Sequence, residues 1–168
     1  MGSENIAAAP AGETVIVDET GLGRFQVEAR VATSAFLIDE PVAAGGLGSG
    51  PNPFDLLSAA LGSCTAMTLR LYAERKAWPL AHVQVRVTHH RSALHARDIF
   101  KAEIFLEGEL DETQRGRLIE IAQRCPVHLT LERGCDVEAT IAVPAERLNA
   151  ASPPGAEHMR TMTQACDN

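Results

Sequence analysis

Residues 50–78, GPNPFDLLSAALGSCTAMTLRLYAERKAW, constrain this chain more than any other stretch. They predict one long helix with a sharp start. Asn52 is a good N-cap, Pro53 suits the first helical position, and Asp55 falls three residues after the cap. The interior is rich in Leu, Ala and Met, all strong helix formers. Phe54, Leu56, Leu57, Ala59, Ala60 and Leu61 cover most of the circumference of the first half, a pattern that asks for burial on more than one side. Charge returns only at Arg70, Glu74, Arg75 and Lys76, and Trp78-Pro79 ends the run. One thiol, Cys64, sits in the middle.

Around this helix the pattern is that of strands. Residues 14–17 and 24–31 alternate about a Gly21-Leu22-Gly23 turn, and a third strand covers 34–38 before Asp39-Glu40-Pro41 stops it. After the helix, 83–89 and 99–106 read as a hairpin across the polar turn 91–98. Asp111 caps a second helix, 112–123, with Leu118, Ile119 and Ala122 as its apolar stripe. Cys125-Pro126 breaks that helix and opens a third, 126–133, closed by Gly134. A last strand is expected at 137–143. Residues 1–12 read as a disordered segment and 146–168 as a flexible tail, leaving one folded domain over 13–145. Antiparallel strands with helices between them argue an α+β fold. One small sheet covers a single face of the long helix, so a second subunit is expected to cover the rest.

The chain has 168 residues and a formal net charge of −7, which argues against a nucleic-acid partner. No apolar run approaches the ~20 residues of a membrane span, and no signal peptide is recognisable, so a cytoplasmic location is expected. There, four cysteines predict free thiols, with any disulfide transient or catalytic. Glycines 45, 46, 48 and 50 invite a phosphate-loop reading, but no Lys-Ser or Lys-Thr follows, and a mobile loop is the better expectation. No metal is expected. His89 and His90 point to opposite faces of a strand, and Cys125 with His128 lacks a second ligand pair.

The thiols divide by setting. Cys64 is either a packing residue or a reactive one. Mid-helix, it gains nothing from the dipole and would need a cation brought from elsewhere. Cys125 lies at a helix start, where unpaired N–H groups favour a thiolate, and His128 can add charge or a hydrogen bond. Cys135 and Cys166 read as incidental. Asp55 lies about 180° around the helix and about 13 Å along it from Cys64, so it serves first as a capping acid.

Asp39-Glu40-Pro41, Gly45-Gly46, Gly50-Pro51-Asn52-Pro53, the run AALGSCTAMT over 59–68, and Cys125-Pro126-Val127-His128 together resemble the OsmC/Ohr family, the osmotically inducible protein C and organic hydroperoxide resistance proteins. The resemblance spans about 14–143. Residues 67–75 are similar to an OsmC-like subgroup rather than to the Ohr branch. It implies an intertwined homodimer with bent antiparallel β-sheets wrapped around two long central helices. It implies thiol-dependent reduction of organic hydroperoxides at the subunit interface, with Cys64 as peroxidatic thiol, Cys125 as resolving thiol, an external dithiol reductant and no bound cofactor. In that family an acid directly after Asn-Pro orients an arginine against the reactive Cys. Here Phe54 holds that position and Asp55 follows, while Arg24 and Arg30 are arginine candidates by location. Phe54, Leu57 and Leu61 would line an apolar substrate groove. The alternative is a non-enzymatic dimer binding a small hydrophobic or reactive-sulfur ligand in that groove.

Overall fold

The structure, a computed structural model, describes residues 14–31, 33–141 and 157–167. The segment expected to be disordered, 1–12, lies outside them. The described residues form two compact units that meet in sequence at Pro51 and Asn52.

The first unit is an antiparallel meander of β1 (Val15–Glu19), β2 (Val27–Val31) and β3 (Ser34–Ile38). Val15 opposes Val31, and Val27 opposes Ile38. Ile16 and Ala29, on opposite faces of this sheet, are its buried apolar residues. The glycine-rich loop that follows is tied down rather than mobile. The buried Asp39 carboxylate accepts hydrogen bonds from the N–H groups of Glu40, Leu47 and Ser49 and from the Ser49 hydroxyl. Its glycines serve close approach: a Cβ on Gly50 would stand 2.2 Å from the Leu37 carbonyl oxygen. The loop amides that a phosphate would need are already bonded to a carboxylate.

The second unit is built on α1 (Pro53–Arg75), the predicted long helix. Asn52 Oδ1 accepts from the N–H groups of Phe54 and Asp55, and Asp55 returns the bond to Asn52 N–H, a complete capping box. The helix stops at Ala77, whose φ of 53° places it in the left-handed region, with Trp78 N–H reaching back to the Ala73 carbonyl. β4 (Leu80–His90) and β5 (Ile99–Gly108) then form the expected hairpin, with Val83 opposite Leu106 and Val87 opposite Ala102. α2 (Glu112–Ala122) and α3 (Pro126–Arg133) follow, capped by Asp111 and Cys125. Leu69, Tyr72 and Ala73 of α1 pack with Leu80, Leu118, Ile121 and Ala122 as the main core, and α1 lies along β4, α2 and α3.

Two expectations about elements are corrected. Of the strand expected at 137–143, residues 137–141 form no strand: among the described residues no strand pairs with them, and they stay exposed. The tail expected at 146–168 lies outside the described residues up to 156, but Glu157–Asp167 form a helix, α4. Met162 and Cys166 recur at i and i+4 and are buried against the rest of the unit. Within one chain the first half of α1 is left partly open: Phe54 and Leu57 are exposed.

Candidate active site

α1 and α3 bring Cys64 and Cys125 together. Cys64 lies in the third turn of α1, on the side that faces α3. Cys125 is the N-cap of α3, with Pro126 locking the first helical φ behind it. The two cysteines pack in one buried cluster, and both thiols are free. Cys64 is 1% exposed and Cys125 is fully buried. Leu61, Val87, Phe100, Val127 and Leu131 wall the pair in with carbon.

The surroundings of the two sulfurs differ. Cys125 Sγ accepts from His128 N–H at 3.3 Å and shares a hydrogen bond with the Thr65 hydroxyl at 3.5 Å, in which either atom can be the donor. Cys64 Sγ accepts from Val127 N–H at 3.4 Å. The Thr68 hydroxyl, one turn on, is committed to the Cys64 carbonyl at 2.8 Å. The neighbouring Cys125 and burial push the Cys64 thiol up. The neighbouring Cys64 pulls Cys125 down, and Thr65 and His128 add to it against the cost of burial.

A groove opens beside this pair. One part, of about 310 Å³, is lined by Leu61, Ile99, Phe100, His128 and Leu131, and the other, of about 400 Å³, by Phe54, Leu57, Phe100 and Leu131. Arg97, Asp98 and Glu132 line both. The three residues expected to contact substrate, Phe54, Leu57 and Leu61, therefore fall along one wall.

The supporting residues separate. His128 lines the groove while its backbone N–H holds Cys125. Asp55 is engaged in the capping box, as the helical spacing requires. Arg24 and Arg30 belong to the first unit, where Arg30 pairs with Asp18 at 2.5 Å and with Glu28, and Arg24 lies over the Phe25 ring.

Sequence reasoning missed the hairpin end. It read 91–98 as a plain polar turn. Instead, Asp98 accepts a forked pair of bonds from Arg91, at 2.8 and 2.6 Å, and lies 2.7 Å from His89 Nε2. The His89 ring stacks on Phe54 at 4.3 Å and leans on Phe100 at 4.7 Å, and Arg91 covers the other side of Phe54. Phe54 thus organises an ion cluster through its ring. Arg97 holds the Glu132 carbonyl at 3.0 Å at the mouth of the groove. The available signal was the count of charges in a turn longer than a tight hairpin needs. Among the described residues, no cluster of His, Cys, Asp or Glu is arranged to hold a metal ion, and no helix is long and apolar enough to cross a membrane.

The profile of the OsmC-like protein family matches residues 46–140, more than half of the chain. No curated protein sequence matches it. Among solved structures, a candidate osmotic stress induced and detoxification response protein from Psychrobacter arcticus 273-4 is similar at 24% identity and a TM-score of 0.65, over 74% of this chain and 91% of that one. An OsmC-like protein from Mycoplasma pneumoniae follows at 19% and 0.61, over 74% and 89%. An organic hydroperoxide resistance protein OsmC from Legionella pneumophila stands at 20% and 0.52, over 73% and 90%. At these identities the likeness establishes the fold.

Proposed function

This chain belongs to the OsmC-like protein family, and we propose that it is a thiol-dependent peroxidase that reduces organic, hydrophobic hydroperoxides. The Cys64–Cys125 pair, packed in one buried cluster beside an apolar groove, carries this reading. Cys64 as thiolate attacks the distal peroxide oxygen; the O–O bond breaks, an alcohol leaves, and Cys64 becomes a sulfenic acid. Cys125 attacks the Cys64 sulfur, hydroxide leaves as water, and a disulfide forms. An external dithiol reopens it by exchange, in the cytoplasm where such reductants are kept. The groove of Phe54, Leu57, Leu61 and Phe100 favours peroxides with a hydrocarbon body over hydrogen peroxide. Phe54 and Leu57, half open to water in one chain, support a working homodimer.

The expected pattern is that Cys64→Ser consumes no cumene hydroperoxide, whereas Cys125→Ser stops at the sulfenic acid. Equal turnover by wild type and Cys64→Ser would end this reading. Non-enzymatic capture of a hydrophobic or reactive-sulfur ligand is the rival use of the same groove. Intact mass after sub-stoichiometric peroxide separates the two: the disulfide removes a pair of hydrogens, and capture alone leaves the mass unchanged.

A further inference from the structure

The two thiols sit on different helices, so the reach between them is set by how α3 lies on α1. The first turn of α3 touches both sulfurs: Val127 N–H donates to Cys64 Sγ at 3.4 Å, and His128 N–H to Cys125 Sγ at 3.3 Å. From α1, the Thr65 hydroxyl meets Cys125 Sγ at 3.5 Å. Yet none of the eight residues of α3 is buried. Residues 134–141 after it stay exposed and form neither helix nor strand. A helix this short, with no enclosed face of its own, needs outside support to keep one position.

α4 offers that support. It packs against both α1 and α3. Its inward residues are Met162, 2% exposed, and Cys166, 6% exposed. Cys166 joins Leu69, Tyr72 and Ala73 in the main core, and its thiol donates to the Thr68 carbonyl at 3.7 Å. Thr68 is the residue whose hydroxyl bonds the Cys64 carbonyl, so α4 rests on the turn of α1 directly after the thiol. Further along α1, Arg75 holds α4 twice, at the Thr163 carbonyl (3.1 Å) and at the Asp167 carboxylate (2.6 Å). α4 lies beyond residue 140, where the family profile stops.

We propose that α4 is a brace that fixes α3 on α1 and so sets the reach between Cys64 and Cys125, with Met162 and Arg75 as positioning residues. This rests on the reading of the two thiols as a redox pair and adds to it what keeps them in range. In the closing step the Cys125 thiol loses its proton, and its electron pair forms the S–S bond. The S–O bond of the Cys64 sulfenic acid breaks, and hydroxide leaves with that proton as water. Sulfurs held in range close at a high effective concentration; a swinging α3 lowers it.

The reduction potential of the pair tests this. Reduced protein and glutathione disulfide exchange to give protein disulfide and two glutathione thiols, and peptide mass identifies the bridged cysteines. Met162→Ala is expected to lower the equilibrium constant about 10-fold, a shift of about 30 mV toward easier reduction. Arg75→Gln, which releases Thr163 and Asp167 without opening the core, is expected to move it the same way. Leu80→Ala, in the main core but on β4, is the control. Lost core packing weakens oxidised and reduced folds alike and leaves the constant where it was. After a pulse of cumene hydroperoxide, Met162→Ala should also hold dimedone-reactive Cys64 sulfenic acid longer than wild type while forming it at the same rate. A constant unchanged in both α4 variants, or lowered equally by Leu80→Ala, would overturn the brace and leave the peroxidase reading standing. A wild-type protein that forms no Cys64–Cys125 disulfide, with glutathione disulfide or with peroxide, would remove both.

Discussion

Asp98 is held by Arg91 and by His89, and the Arg91 guanidinium, then His89, draws its carboxyl down to about 2. A carboxylate that ionises more readily folded than unfolded contributes stability above the ordinary carboxylate range and loses it as pH falls through about 2. Asp98→Asn should therefore be less stable than wild type at neutral pH, with the gap narrowing on acidification to pH ~2. Urea midpoints measured across that range check this, and a gap of constant size would contradict it. Ala77 makes the opposite case. Its left-handed φ of 53° closes α1 where glycine is the usual residue. Ala77→Gly should stabilise the protein by about 1 kcal/mol, read as a rise in the denaturation midpoint. The sequence announced Trp78-Pro79 as the stop but not this strain, because no residue type marks it.

At the scale of elements, the start of α1 and the whole of α3 were legible because their signals are local. Asn52-Pro53 with Asp55, and Cys125-Pro126 with Gly134, each fix a terminus through bonds among near neighbours. The last strand was misjudged because a strand exists only where another strand pairs with it. α4 was misjudged because the Pro-, Ala- and Ser-rich run before it masked a short stripe, Met162 and Cys166, that packs into the unit. Met162 is 2% exposed and Met159, on the same helix, 51%. Met162→Ala should cost about 2–4 kcal/mol and Met159→Ala about 0.5 or less, measured by urea denaturation. Equal effects would mean that α4 does not pack as described.

For the whole molecule, each unit leaves apolar surface uncovered. Met67 and Leu57 are exposed on α1, and Val15, Val17 and Phe36 on the three-stranded sheet. Surfaces of that kind mark interfaces, and light scattering is expected to give a dimer that Met67→Glu, away from the groove, shifts toward monomer. A wild-type monomer at micromolar concentration would refute it. By itself, the sequence determined the α+β order of elements, the capped central helix and the two cysteines worth watching. All of these rest on periodicity and on bonds within a few residues. Tertiary structure alone decided that Cys64 and Cys125 pack into one buried cluster, that Phe54, Leu57 and Leu61 line one groove, and that Asp98 anchors the hairpin end. Those facts depend on atoms far apart along the chain being packed into contact, and neither composition nor spacing encodes the distance between them.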